Sequence, residues 1–202
     1  CFRGVAERWP AEIPATLYFA NVDAPGEFSL GTDERRRRNG GFIYALDYFW
    51  VKDGGWRLVT PFLKRGTLET LAELVRKKAL SPSEVDAVYR RRFREVVEAL
   101  AKMHERGFSH DDVKMDNIFV ADTGAFLLGD LGNVREHGHC YHSHTPDVHT
   151  GLADYSQGDT ERAVRSYLSF LRSACADSTV FDREFRAKDE GWARFYWRYK
   201  AD

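Results

Sequence analysis

The clearest apolar periodicity in the chain runs from Val85 to Met103, where Val85, Tyr89, Phe93, Val96, Leu100 and Met103 recur at spacings of three and four and predict one long amphipathic helix. Ser81-Pro82-Ser83-Glu84 precedes it as a capping box with proline at the first helical position. Gly107, followed by the apolar Phe108, ends it in the manner of a Schellman cap. A second stripe, Val164, Tyr167, Leu168, Leu171 and Cys175, predicts a helix that Asp159 opens, either as an N-cap or as a tie to another segment. A third, Leu68, Leu71, Ala72 and Val75, predicts a helix capped by Thr67 and closed by Lys77 and Lys78, which suit the negative end of the helix dipole. From Phe181 to Asp202, Phe185, Trp192, Phe195, Tyr196, Trp197 and Tyr199 alternate with charges and predict one amphipathic tail helix. Aromatic residues at that spacing belong to a core more often than to a nucleic-acid stacking platform.

Other stretches predict strands and loops. Phe42 to Val51 and Trp56 to Leu63 bracket Asp53-Gly54-Gly55, the strongest hairpin signal in the chain. Ile118-Phe119-Val120 and Ala125 to Leu128 read as two short strands around a turn at Asp122-Thr123-Gly124. Toward the start, Phe2 to Trp9 reads as a short helix and Ala15 to Val22 as a strand-like run. Asp23 to Gly41 reads as a long loop whose basic run, Arg35 to Arg38, is a solvated face rather than a patch for acidic partners or nuclear import.

Composition narrows the class. With 202 residues, 43% of them hydrophobic, the chain can bury a real core in one or two compact units. The 30 basic and 31 acidic residues nearly cancel, so bulk charge predicts neither a nucleic acid nor an anionic membrane as partner. Three scattered cysteines, Cys1, Cys140 and Cys175, suit a reducing compartment better than a disulfide framework, and a cytoplasmic or nuclear location is expected. No apolar run reaches the length of a membrane span. The first residue is Cys, and the natural protein is expected to begin further upstream.

The chemistry concentrates between Gly107 and Gly132. His110, Asp111 and Asp112 lead to Lys114 and Asn117, and after the second short strand comes Gly129-Asp130-Leu131-Gly132. Transfer of a γ-phosphoryl group needs an acceptor for the hydroxyl proton, a cation against developing phosphate charge, and oxygen ligands for Mg²⁺. Asp112, Lys114, and Asn117 with Asp130 supply these in turn. Turn chemistry explains an isolated Asp/Asn cluster, but not the lysine together with the later Asp-Gly element. Beyond Gly132, His137, His139, His142, His144, His149 and Cys140 crowd one segment. Their spacing fits no structural zinc pattern, and the segment reads as a polar substrate-docking loop.

The segments His110-Asp111-Asp112-Val113-Lys114-Met115-Asp116-Asn117 and Asp130-Leu131-Gly132 resemble the H-R-D-x-K-x-x-N and D-F-G elements of the protein kinase superfamily. The resemblance runs in order from about Phe42 to Leu171. Its Asp-Leu-Gly-Asn segment and the helix around Arg165 to Arg172 look nearest to atypical kinase-like proteins of filamentous fungi. It implies an α+β fold: a mostly helical C-lobe over residues 61–202 and a reduced or truncated N-lobe sheet within residues 1–60. It implies ATP and Mg²⁺ as cofactors, with Asp112 as base, Lys114 steadying the γ-phosphate, and Asn117 and Asp130 holding the metal. Thr60, Pro61, Phe62 and Leu63 would form the hinge that holds adenine, and Asp159 would tie its helix to the catalytic-loop backbone. The implied activity is phosphoryl transfer to Ser or Thr of a protein. The alternatives are a pseudokinase that binds a protein partner and a phosphotransferase of the aminoglycoside or choline kinase type.

The sequence departs from the family pattern in three places. No lysine precedes Lys52, so the third-strand lysine that grips the α- and β-phosphates is missing and its glutamate partner is not identified. Gly26 and Gly31 do not have the spacing of a phosphate-covering loop. Asp111 stands where the pattern has arginine, removing the cation that usually reads a phosphorylated activation segment.

Overall fold

The computed structural model describes residues 10–20, 40–52, 54–137 and 152–201. The expected Phe2 to Trp9 helix, most of the Asp23 to Gly41 loop with its arginine run, and the histidine-rich stretch from residue 138 lie outside them.

The sequence folds as α1 (Glu12–Ala20), the hairpin β1 (Asp47–Val51) and β2 (Gly55–Val59), α2 (Leu68–Arg76) and α3 (Pro82–Glu105). These are followed by β3 (Phe108–Ser109), β4 (Ile118–Val120), β5 (Phe126–Leu128), β6 (Arg135–Glu136), α4 (Leu152–Ala174), α5 (Ser178–Ala187) and α6 (Gly191–Ala201). Three two-stranded antiparallel sheets form, β1 with β2, β3 with β6 and β4 with β5.

The long helix forms as its pattern predicts. Ser81 Oγ accepts from the backbone N–H of Glu84 while the Glu84 carboxylate accepts from the N–H of Ser81, completing the capping box. Gly107 takes φ +81° just past its end, where a left-handed residue lets the chain turn back into β3. Every residue of the predicted stripe is buried, and the stripe packs against α4 to make the floor of the molecule. The main core gathers Val96 and Met103 of α3, Ile118 and Phe126 of the β4–β5 hairpin, and Phe170 and Leu171 of α4. Thr67 stands at the N-cap of α2 in extended conformation, without the expected side-chain hydrogen bond.

Three sequence expectations are corrected. Residues 15–20, expected as part of a strand, are helical: Ile13, Thr16, Leu17 and Ala20 are buried at spacings of three, one and three, which is one helical face, and this packing overrides the strand preference of Tyr18 and Phe19. Pro14 is tolerated because it falls in the first turn, where its missing N–H has no helical partner to lose. The helix expected to begin at Asp159 begins at Leu152 instead, so Asp159 sits within it and is not its N-cap. The tail is two helices, not one. Lys188 adopts φ +61° and closes α5, and Asp177 caps its start through the backbone N–H of Thr179. The break folds the aromatic residues onto one another: Phe181 stacks on Trp192 at 4.7 Å between ring centroids, both buried in the main core, and the Trp197 indole donates to the Phe185 carbonyl at 2.9 Å.

The hairpin predicted around Asp53-Gly54-Gly55 forms with Trp50 opposite Trp56 and Tyr48 opposite Leu58, although its strands are shorter than the apolar runs. One face, through Tyr48, Trp56 and Leu58, covers a small separate core of Ile13, Leu17 and Ala45. Its opposite face leaves Phe49, Val51 and Val59 exposed.

Candidate active site

Two hairpin-like connections bring the chemistry together. Strands β4 and β5 pair Ile118 with Leu128 and Val120 with Phe126, and the Gly129 N–H donates to the Asn117 carbonyl at 2.9 Å. That bond sets Asn117, at the end of a 3₁₀ turn, beside the strand end from which Asp130 emerges. Gly129 is required there by space: a Cβ would lie 2.8 Å from the Phe119 ring and 2.9 Å from Ile43 Cδ1. Asp130 is exposed and holds a left-handed backbone, φ +55°, that turns the chain into Leu131-Gly132-Asn133.

Asp112 is the point of convergence. Its Oδ2 receives Lys114 Nζ at 2.8 Å, Asn117 Nδ2 at 3.0 Å and Asn133 Nδ2 at 3.4 Å. Hydrogen bonding from Lys114 is the largest influence on its carboxyl, followed by an opposing effect of burial, and the net result lowers its pKa. Asn117 also donates to the Asp112 carbonyl at 2.9 Å. Its amide N–H groups thus face Asp112, and its carbonyl oxygen is the part left to ligate a hard cation.

Under the loop lies a buried frame that sequence reasoning covered only in part. His110 is fully buried; its Nε2 lies 3.1 Å from the Gly129 carbonyl and its Nδ1 3.3 Å from the Asp112 N–H. Burial dominates and lowers its pKa, so it is a neutral imidazole that donates from Nε2 and accepts at Nδ1. One ring thereby links the Asp112 backbone to the residue before Asp130. Asp159, also fully buried, accepts from the N–H of His110 at 2.7 Å and of Asp111 at 2.9 Å, with His104 Nε2 at 3.0 Å. Burial alone would raise its pKa, but the His104 contact and the two backbone donors outweigh it and lower the net value. The tie expected from the kinase resemblance is therefore present. Ser166 Oγ adds a second tie from α4, donating to the Val113 carbonyl at 3.2 Å.

Glu12 was not singled out from the sequence. It opens α1, which packs against Leu131–Asn133, and its carboxyl is partly buried, with burial first and then the charge of Asp130 raising its pKa. No spacing signal links residue 12 to residue 130; only the helical register of α1 brings them near. Thr60, Pro61, Phe62 and Leu63 form an irregular link from β2 toward α2, with Phe62 87% exposed. Among the described residues, no hydrogen bond or ion pair joins that link to Asp112 or Asp130. Among the described residues, no group of three or more His, Cys, Asp and Glu side chains is arranged to hold a metal ion. No helix among them is long and apolar enough to cross a membrane.

Comparison with known proteins agrees with this geometry. The family model of the protein kinase domain matches residues 36–155, more than half of the chain. Serine/threonine-protein kinase PknL of Mycobacterium tuberculosis is 38% identical over 109 residues, which are 54% of this chain and 26% of that protein. Human serine/threonine-protein kinase 16 is 31% identical over 93 residues, 46% of this chain and 30% of the relative. Serine/threonine-protein kinase shk1/pak1 of Schizosaccharomyces pombe is 32% identical over 90 residues, 45% of this chain and 12% of the relative. The chain thus spans less than a third of the length of these relatives, which come from bacteria, animals and fungi alike. With the family model covering both the Asp112 loop and the Asp130 turn, this chain belongs to the protein kinase family.

Proposed function

We propose that residues 61–202 are the C-lobe of an ATP- and Mg²⁺-dependent kinase that phosphorylates Ser or Thr of a protein substrate, and that residues 1–60 carry part of its N-lobe. The observation that carries this reading is the convergence of Lys114, Asn117 and Asn133 on a single oxygen of Asp112. It leaves Oδ1 to take the proton of a substrate hydroxyl. Lys114 would turn from Asp112 toward the γ-phosphate of a bound nucleotide, and the Asn117 carbonyl oxygen and the Asp130 carboxylate would hold Mg²⁺. Thr60 to Leu63 provide backbone groups for adenine. Glu12, a partly buried carboxyl beside Asp130, is the partner that a phosphate-gripping lysine would take in the family arrangement.

Bound Mg²⁺ supplies charge neutralisation at the transferring phosphoryl group. The protein supplies the rest by position: Asp159 and His110 fix the backbone leading into Asp112 and Ser166 holds the Val113 carbonyl just after it, so the base is pre-oriented before substrate arrives. Residues 1–202 contain no lysine ahead of Lys52, so the 202-residue chain should bind nucleotide weakly and turn over little. In an extended form that does turn over, Asp112→Asn should lower kcat by roughly 10²–10⁴, the usual worth of a positioned base. Calorimetry of Asp130→Asn tests the metal assignment: Mg²⁺-dependent nucleotide binding should disappear. Binding that survives Asp130→Asn unchanged would remove Asp130 from the site, and tight binding without any turnover would favour a pseudokinase.

A further inference from the structure

Asp111 occupies the position at which the kinase pattern has arginine. Its backbone is left-handed, φ +62°, a conformation that a non-glycine residue keeps when its surroundings hold it. Those surroundings are two arginines from separate elements. Arg135 of β6 places Nε 2.9 Å from Asp111 Oδ2, and Arg162 of α4 places Nη1 3.4 Å from Oδ1. The contact with Arg135 is charge to charge rather than an aligned hydrogen bond, since the buried Oδ2 accepts none among the described residues. The Asp111 side chain is only 14% exposed, whereas those of Arg135 and Arg162 are 39% and 43% exposed, so solvent screens the cluster in part. Arg162 also reaches Asp159 Oδ1 at 3.4 Å, the same oxygen that accepts the Asp111 N–H. Arg135 lies opposite Ser109 in the β3–β6 pair, and the His137 N–H extends that pair to the Gly107 carbonyl at 2.7 Å.

We propose that Asp111 is a positioning residue: with Arg135 and Arg162 it forms a clasp that holds β6 against β3, and with it the backbone leading into Asp112, without a phosphate group. The charges are reversed relative to the usual pattern. There, an arginine in the loop awaits an anion on the following segment; here the loop carries the anion and β6 carries the cation. A phosphate brought to this cluster would have to displace the Asp111 carboxylate from Arg135 and Arg162. The clasp rests on the kinase reading only for what it positions, Asp112 as base; the clasp itself is a property of the ground-state fold.

Amide hydrogen exchange of the 202-residue chain, before and after phosphatase treatment, tests this. Asp111→Asn and Arg135→Gln should each speed exchange at Arg135 and His137, whose N–H groups face β3, by roughly two- to fivefold, the upper range for losing an ion pair with partly exposed partners. The double variant should be no faster than either single one, and Arg135→Lys should restore slow exchange. Amides in the middle of α3 should be unaffected throughout, separating the clasp from global stability. Should Asp111→Asn not fold, the Arg135 variants carry the test alone. Unchanged exchange in the single variants, multiplicative effects in the double variant, or loosening of the wild type by phosphatase would each overturn the proposal. The Asp112 reading is tested separately, by Asp112→Asn in an extended form that turns over: an unchanged kcat there, with the expected exchange pattern in the 202-residue chain, would sink that reading and leave the clasp standing.

Discussion

The two halves of this molecule are built to different standards. Around the Asp112 loop, α3, α4 and the β4–β5 hairpin share one continuous core, and buried or half-buried side chains beside it, His104, His110, Asp159 and Ser166, tie down the loop backbone and the residues that hold it. The β1–β2 hairpin and α1 share only a small core of Ile13, Leu17 and Ala45. They leave Phe49, Trp50 and Val59 between 36% and 45% exposed. The loop that would position a proton acceptor is therefore held by its own core, whereas the described residues of the half that would cover the phosphates supply Glu12 as a partly buried carboxyl, and no lysine precedes Lys52 in the sequence. On the proposed reading, positioning of base and metal ligands and gripping of the triphosphate would be separable tasks, assigned to different packing layers.

That contrast breaks most readily in the lower core. Phe170 is fully buried, with Tyr89 edge-on at 5.3 Å and Tyr167 at 6.4 Å between ring centroids. Truncation to alanine should cost about 3–5 kcal/mol through lost burial and the cavity left behind. Chemical denaturation would read this directly. A loss below about 1 kcal/mol would mean that α3 and α4 are not the shared floor of the site.

Asp159 sharpens the comparison at one buried charge. Because its folded-state pKa is lowered from the ordinary 3.8, the carboxylate contributes stability that is fully present above that value and is lost as pH falls through the lower folded one. Asp159→Asn keeps one acceptor oxygen but no charge, and should destabilise by roughly 1–3 kcal/mol at neutral pH, the range for leaving buried partners incompletely satisfied. Its stability should also depend less on pH below about 4 than that of the wild type. Thermal unfolding between pH 3 and 7, about the range that spans carboxylate titration, would show both. An acid limb unchanged by the substitution would remove Asp159 as the carboxylate that ties α4 to the loop.

Much of this was legible in the sequence because the signals are local. The capping box at Ser81, the apolar stripe to Met103, the turn at Gly124 and the Asp112 to Asn117 spacing each depend on residues within a few positions of one another, and each forms as read. The misreadings share the opposite cause. Residues 15–20 have strand-like composition, and only their packing against Phe42 and Phe108 selects a helix. The tail breaks at Lys188, which carries no turn signature, because the aromatic residues on either side stack on each other rather than along one face. Asp159 has the chemistry of an N-cap, and its partners, 48 to 55 residues away, are what make it an internal tie. Glu12 and Arg135 acquire meaning only from distant neighbours, so no window of sequence could have singled them out.

The smallest expected effect belongs to the upper hairpin. Phe49 pairs with Arg57 across the sheet, and its side chain is 45% exposed on the face opposite Tyr48, Trp56 and Leu58. Replacing it with threonine introduces a β-branched residue suited to a strand while removing an aromatic ring that is nearly half exposed. Stability should therefore change by no more than about 0.5 kcal/mol, in either direction, as for surface substitutions that disturb no cap or core. The same ring is part of an apolar surface shared with Val51 and Val59, so its removal should raise the concentration at which the 202-residue chain begins to self-associate. Denaturation and light scattering on the Phe49→Thr chain measure the two effects independently. A loss approaching that of Phe170→Ala would contradict the contrast outright, because it would mean that the face of the hairpin away from Ile13 and Leu17 is packed in solution as firmly as the floor beneath Asp112.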